Sequence, residues 1–489
     1  MKHKNILLIM TDQMRGDCMG CAGHPDVKTP YLDTLAARGV RFENAYSACP
    51  SCIPARAALH TGLSQGSHGR VGYEDGNRWE YEVTMAGELA KAGYYTQCVG
   101  KMHVHPLRSL LGFHHVELHD GYLHYYRDPN IPYYENQKQA DDYFYWLKQE
   151  KGIGCDVTDT GVECNSWVAR PWIYEERFHP TNWVTERSID FLRRRDRDRP
   201  FFLMASYLRP HPPFDAPQYY FDLYKDKELK APSIGSWEDE AAWRQKGRIF
   251  DSDTGPVDPE LARQAQIGYY ACITHLDHQI GRLLQVVIEE KLYDDTLIVF
   301  TSDHGELLCD HHMFRKSRAY QGSIRIPLLI SGGAVFKEKA GELRSQVAEL
   351  RDILPTLLET AGWPVPECVE GKSLWNAVRD EKAPIREYLH GEHTNGELSS
   401  HFIVTRKDKY IWYSQSGREQ YFCLDQDPEE TRDLIAKEAC RERIGQLRQF
   451  LVQELKGREE GFVSDGRLVT GRPVIPYLKH PGRRTGNCR

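Results

Sequence analysis

The chain has 489 residues, too many for one simple core, which predicts one large domain with a smaller companion. At 40% hydrophobic and 27% charged it has a soluble globular composition, and no apolar run is long enough to span a bilayer, so no membrane partner is expected. A net charge of -7 also argues against a nucleic-acid partner, because phosphate binding needs a basic surface.

The first apolar run, Ile6 to Met10 in "MKHKNILLIMTDQ", is interrupted by Thr11 and Asp12. That is too short for the core of a secretory signal, and it reads as a first strand buried on both faces. Helical "TPYLDTLAARG", strand-like "VRFENAY", helical "VTMAGELAKAGY" and then the strand-like runs "YTQCVG", "PFFLMASY", "TLIVFTSD" and "IPLLISGG" follow. Short continuous apolar strands between amphipathic helices predict an α/β fold, a large, mostly parallel sheet sandwiched by helices. Ligands in such sheets gather at the carboxyl edge. Asp12, Lys101 and His103, His211, and Asp303 with His304 each follow a predicted strand, so they are expected to share that edge.

Two stretches differ in character. Residues 105–185 are rich in aromatics (Tyr122, Tyr125, Tyr126, Tyr133, Tyr134, Trp146) and read as an insertion over one face, either the core of a lid or a stacking surface. Near residue 385 the pattern changes to short strands and one helix, predicting a catalytic domain at 1–384 and a small C-terminal α+β subdomain at 385–489. The Pro/Gly-rich tail from Phe462 reads as a surface strap.

The thirteen cysteines form no regular framework, which favours reduced thiols and a cytoplasmic location. Cys18/Cys21 and Cys49/Cys52 are two CxxC pairs, but a whole helix and strand separate them, unlike a zinc knuckle. A thioredoxin-like redox pair opens a helix, which lowers the pKa of its first thiol. Pro54 suits a first helical position, so the helix is expected to begin after Ile53, with Cys52 at its N-cap and Cys49 outside. Cys52 is thereby set apart at the positive end of a helix dipole. Two further clusters read as structural. His275, Asp277 and His278 form the polar flank of an amphipathic helix, and Asp310, His311 and His312 shape the turn carrying Lys316, with His312 within reach of substrate.

Cys52-Ile53-Pro54-Ala55-Arg56 has the form C-x-P-x-R and is followed by "AALHTG". This resembles the signature of the type I sulfatases, formylglycine-dependent, arylsulfatase-like enzymes of the alkaline phosphatase superfamily. The resemblance continues through "GKMH" (100–103), "RPHPPF" (209–214), "TSDHGE" (301–306), Lys316 and "CLDQDPEETRDL", nearly the whole chain. It implies an alkaline-phosphatase-like fold and hydrolysis of a small sulfate monoester. It also implies conversion of Cys52 to Cα-formylglycine by a maturase, the aldehyde hydrate being the nucleophile. One divalent metal, calcium first and magnesium or manganese next, would be held by Asp12, Gln13, the modified Cys52, Asp303 and His304. The family often has an acidic residue where Gln13 stands and asparagine where His304 stands. Arg56 would hold the hydrate, Lys101 and Lys316 would contact sulfate oxygens, His103 would drive sulfate elimination, and His211 would protonate the leaving oxygen. The alternative is a phosphonate monoester or phosphodiester hydrolase of the same superfamily, against which Lys101 and His103 of "GKMH" weigh. A binding protein on a retired scaffold is opposed by the full set of catalytic positions.

Overall fold

The computed structural model describes residues 5–121, 141–245, 253, 255, 258–333, 336 and 339–480. Strand β1 (Asn5–Asp12) is buried at every position. Its side chains alternate between two cores, Leu7 and Ile9 on one face and Ile6, Leu8 and Met10 on the other. The neighbouring strands divide likewise, and each fully buried Leu, Ile or Phe contributes roughly 2 kcal/mol.

The other strands of this sheet are β2 (Gly39–Tyr46), β3 (Tyr95–Gly100), β4 (His115–Leu118), β5 (Phe201–Pro210), β6 (Thr296–Ser302), β7 (Leu328–Ser331) and β8 (Glu342–Glu349). They form one eight-stranded sheet in the order β4-β3-β5-β1-β6-β7-β2-β8. Only β7 runs against its neighbours, so the sheet is mostly parallel, as expected. The helices Pro30–Ala37, Pro180–Arg194 and Pro259–Glu289 cover one face; Cys52–Thr61, Met85–Lys91 and Ile353–Ala361 cover the other.

The helix Pro259–Glu289 corrects one expectation. His275 and Asp277 are completely buried and do not lie on a polar flank. Asp277 accepts the backbone N–H groups of Tyr31 and Leu32 at 3.1 and 2.8 Å, satisfying donors at the start of the helix Pro30–Ala37. His275 Nε2 lies 2.7 Å from Asn182 Oδ1. A helix packed on most of its circumference can bury polar groups when each meets a partner.

Strands β9 (Leu389–His393), β10 (Ser400–Val404), β11 (Asp408–Tyr413) and β12 (Glu419–Cys423) make a second, antiparallel sheet in the order β12-β11-β10-β9. One face packs Ile403, Tyr410 and Trp412 against Leu447, Leu451 and Leu455 of the helix Arg441–Leu455. The other sets Phe402, Val404 and Ile411 against Tyr46, Ala48, Leu307 and Tyr320 of the larger unit. Gly391 is required at this junction, because a Cβ there would strike Phe402 and Ala48 O. The tail does act as a strap: Val71 and Gly72 donate to Pro476 O, and Leu478 donates to Gly69 O.

Of the aromatic insertion, Tyr122, Tyr125, Tyr126, Tyr133 and Tyr134 lie outside the described residues. Trp146, in the helix Asp142–Lys151, packs beside Phe178 in the core layer. Among the described residues eleven cysteines are free thiols, but Cys368 is disulfide-bonded, so the expectation of reduced thiols fails at that position. Among the described residues no helix is long and apolar enough to cross a membrane.

Candidate active site

Parallel strands deliver their last residues to one edge. Thr11 is paired with Ser302 and Asp12 with Pro210, so Asp12, Asp303 and His211 emerge side by side from β1, β6 and β5. Lys101 follows β3 through Gly100 (φ +102), where a Cβ would run into Ser206 O. The turn that presents Lys101 therefore needs glycine.

Cys52 opens the helix Cys52–Thr61 from the opposite layer, with Ser51 as its N-cap. This helix starts two residues earlier than Pro54 suggests. Proline is accommodated at the third position because the first four N–H groups of a helix have no internal partner. Cys52 is fully buried, with Sγ 3.3 Å from His304 Nε2, 3.4 Å from Lys316 Nζ and 3.8 Å from both oxygens of Asp12. One turn on, Arg56 donates from Nε to Asp303 Oδ2 (3.0 Å) and from Nη1 to Lys101 O (2.7 Å) and Ser206 Oγ (3.0 Å). Its Nη2 is buried without a partner.

Lys101 Nζ is ion-paired with Asp12 Oδ2. Gln13 (φ +69) follows in strained backbone; its N–H donates to Asp303 Oδ1 at 3.1 Å, and its side-chain amide donates to Glu306. Its Oε1 accepts from Lys316 Nζ at 2.7 Å, so the carboxamide oxygen is engaged by lysine. His304 Nδ1 lies 3.0 Å from Gly305 O, which turns Nε2 toward Asp12 Oδ1 at 3.5 Å and Asp303 Oδ1 at 3.6 Å; burial works against charge on the ring, but Asp303 raises it above an ordinary histidine. His211 is oriented in the same way, with Nδ1 2.8 Å from Pro212 O, and its Nε2 is buried without a partner. His103 (φ +59) is set by its backbone N–H donating to Asp120 Oδ1 at 2.9 Å.

Burial and Asp12 both oppose ionisation of Cys52, yet Lys101, Lys316 and His304 together outweigh them and hold its thiol below the ordinary range. Burial likewise works against charge on Asp12, but the surrounding charges, Lys101 first, then Lys316 and His304, keep it a carboxylate. Lys101 stays protonated despite burial because Asp12 faces it. Burial, Lys316 and Lys101 hold His211 well below an ordinary histidine, so its Nε2 is an acceptor before substrate arrives.

Asp12, Gln13, Cys52, Arg56, Lys101, Asp303, His304 and Lys316 thus form one contact network, with His211 and His103 at the same edge. Asp310 and His311 shape the Lys316 loop, Asp310 through Arg15 and His311 by accepting Gly235 N–H. Sequence reasoning missed Ser206, Asp120 and Glu306, which support site residues; only Glu306 sits inside a motif. It also missed His393, buried at the end of β9, neither ring nitrogen of which has a partner among the described residues.

The ligand atoms of Asp12, Cys52, Asp303 and His304 all lie within 4.8 Å of one another. Two carboxylates and an imidazole with Nε2 turned toward them fit a divalent cation. So many cations around one buried side chain suit a substrate that itself brings negative charge. Fold and site together define a hydrolase of anionic esters.

The chain belongs to the sulfatase family, whose model matches residues 4–363; a second model, N-sulphoglucosamine sulphohydrolase, C-terminal, matches residues 309–457. It is accordingly a sulfuric ester hydrolase. It is 50% identical over 477 residues to an arylsulfatase of Clostridium perfringens, covering 97% of this chain and 99% of that one. A choline-sulfatase of Rhizobium meliloti is 30% identical over 449 residues, covering 88% and 82%. The phosphonate monoester hydrolase of Agrobacterium radiobacter superposes with a TM-score of 0.76 at 23% identity, over 96% of this chain and 100% of that one, a likeness of fold.

Proposed function

We propose that the chain hydrolyses aryl sulfate monoesters with a Cα-formylglycine hydrate made from Cys52 by a maturase, beside a divalent cation, calcium in the first instance. The observation that carries this reading is the placing of Cys52 at a helix start, within 3.8 Å of Asp12, His304 and Lys316. A geminal diol there supplies one hydroxyl to attack sulfur and a second whose deprotonation releases sulfate as the aldehyde re-forms. Asp12, Asp303 and His304, with Gln13 beside them, would hold the cation, which would supply Lewis acidity toward a sulfate oxygen and the attacking hydroxyl.

The chain's own residues do the rest. Arg56 orients the side chain at position 52 from one turn along the same helix. Lys101 and Lys316 neutralise sulfate oxygens at a site lined by buried side chains, where each charge counts for more. His211 is neutral in the empty site, and a bound sulfate offsets Lys316 and Lys101, letting it carry the proton that the leaving oxygen needs. His103 takes the proton from the second hydroxyl. The arylsulfatase relative at 50% identity supports an aryl leaving group.

The test is mass spectrometry of the tryptic peptide Phe42–Arg56 from protein made with an active maturase. An aldehyde or its hydrate at Cys52 is expected; an intact thiol would sink the mechanism.

A further inference from the structure

His393 ends β9 and reaches the catalytic edge from the small sheet. Glu392 N–H donates to Ala48 O and Thr394 N–H to Val71 O, both at 2.8 Å, seating this strand end along the segment that leads to Cys52. The Lys316 loop holds the same segment through Ser317 N–H to Pro50 O at 3.0 Å. His393 and Arg318 therefore flank the approach to position 52.

Both residues carry unused polar atoms. His393 is 4% exposed, with no partner on either ring nitrogen among the described residues. Arg318 is 7% exposed; Nη2 donates to Asp253 Oδ2 at 2.6 Å, while Nη1 is buried without a partner among the described residues. Burial and the nearby charges of Arg318, His304 and Lys316 push His393 down to about 3, so it is neutral and offers an N–H donor. Buried donors of this kind are filled by ordered water or by a ligand. A guanidinium N–H beside an imidazole N–H, next to Lys316, suits an oxyanion more than a hydroxyl, because charge-assisted hydrogen bonds are the stronger. Asp253, the carboxylate paired with Arg318 among the described residues, is 40% exposed and partly screened by solvent.

We propose that Arg318 and His393 form a subsite for an anionic substituent, a carboxylate or a second sulfate, carried by the alcohol part of the ester. This rests on the sulfate-ester reading above. The experiment compares kcat/KM of the matured enzyme for phenyl sulfate, 3-sulfooxybenzoate, resorcinol bis-sulfate and the neutral 3-sulfooxybenzamide. The expected result is a preference of at least about tenfold for an anionic ester over the amide, falling to within about twofold in Arg318→Met and partly retained in Arg318→Lys. Which anionic ester is preferred tells carboxylate from sulfate. Equal values for anionic and neutral esters in the unmutated enzyme would overturn the subsite and assign the space to water. A preference that survives Arg318→Met would also overturn it. Failure on all four esters would instead overturn the sulfate-ester reading, and the subsite with it.

Discussion

Asp12, Asp303 and His304 at the edge of the large sheet, and His390, Glu392 and His401 in the small one, are both clusters of carboxylates and imidazoles, buried except for the half-buried His390. In the small-sheet cluster these three side chains are engaged with one another or with Arg458. The rings of His390 and His401 have centroids 5.7 Å apart and planes 12° apart, with Nε2 and Nδ1 at 3.4 Å. Both nitrogens thus lie on the line joining the rings, the geometry of an N–H···N hydrogen bond with no room for an ion between them. Arg458 grips both oxygens of Glu392 at 2.8 and 3.0 Å. Burial and Arg458 push His401 down to about 3, leaving it neutral. At the large sheet, by contrast, His211 Nε2 and Arg56 Nη2 are buried with no partner among the described residues, beside the converging ligand atoms of Asp12, Asp303 and His304. Residue composition does not separate a working site from a structural one; unsatisfied polar atoms at a carboxyl edge do.

The largest effect is expected from Cys52→Ala, which should cut turnover of 4-nitrophenyl sulfate by at least ~10³-fold. Near-native turnover would erase the distinction between the clusters. Chelation of divalent cations should lower the rate on the order of 10²-fold, with calcium restoring it. Rates indifferent to chelator would remove the cation from Asp12, Asp303 and His304. His211→Ala should cost roughly 10²-fold on an alkyl sulfate and under about tenfold on 4-nitrophenyl sulfate, whose leaving group needs little protonation. Equal losses would deny His211 the acid role.

The small-sheet cluster should respond in stability. Arg458→Ala leaves Glu392 buried and unpaired, at a cost of about 3–5 kcal/mol in chemical denaturation, with kcat per folded molecule unchanged. A selective loss of kcat would mean that this cluster has a function of its own.

Asp277 extends the comparison to a carboxyl with backbone partners. Burial pushes it up to about 7, against the pull of the Leu32 and Tyr31 N–H groups. Its folded value lies above the ordinary 3.8, so the stability linked to its proton is complete below about pH 4 and is lost as pH rises through 7. Asp277→Asn should therefore flatten the fall in Tm between pH 5 and pH 8 by roughly a degree or two. An unchanged slope would show that the ionised carboxylate is tolerated there.

Most of the catalytic edge was legible before any fold was known. Asp12, Lys101, His211 and Asp303 each follow an apolar strand run, and parallel strands carry whatever follows them to one edge. The C-x-P-x-R pattern isolated Cys52, though Pro54 misplaced the helix start. Asp277 was misread because a periodic helix pattern does not reveal how much of the helix circumference will be packed.

Strand runs, motif spacing and the residues at strand ends are local properties, and the sequence by itself determined them, together with the sulfatase family. The tertiary structure alone decided the reversal of β7, the grip of Lys316 on Gln13, the satisfaction of Glu392 by Arg458 and the arrival of His393 beside Arg318. Each joins residues far apart in the chain or sets a strand against its neighbours. Such pairings follow from how two cores and a docked second sheet pack together, which no local window of sequence contains.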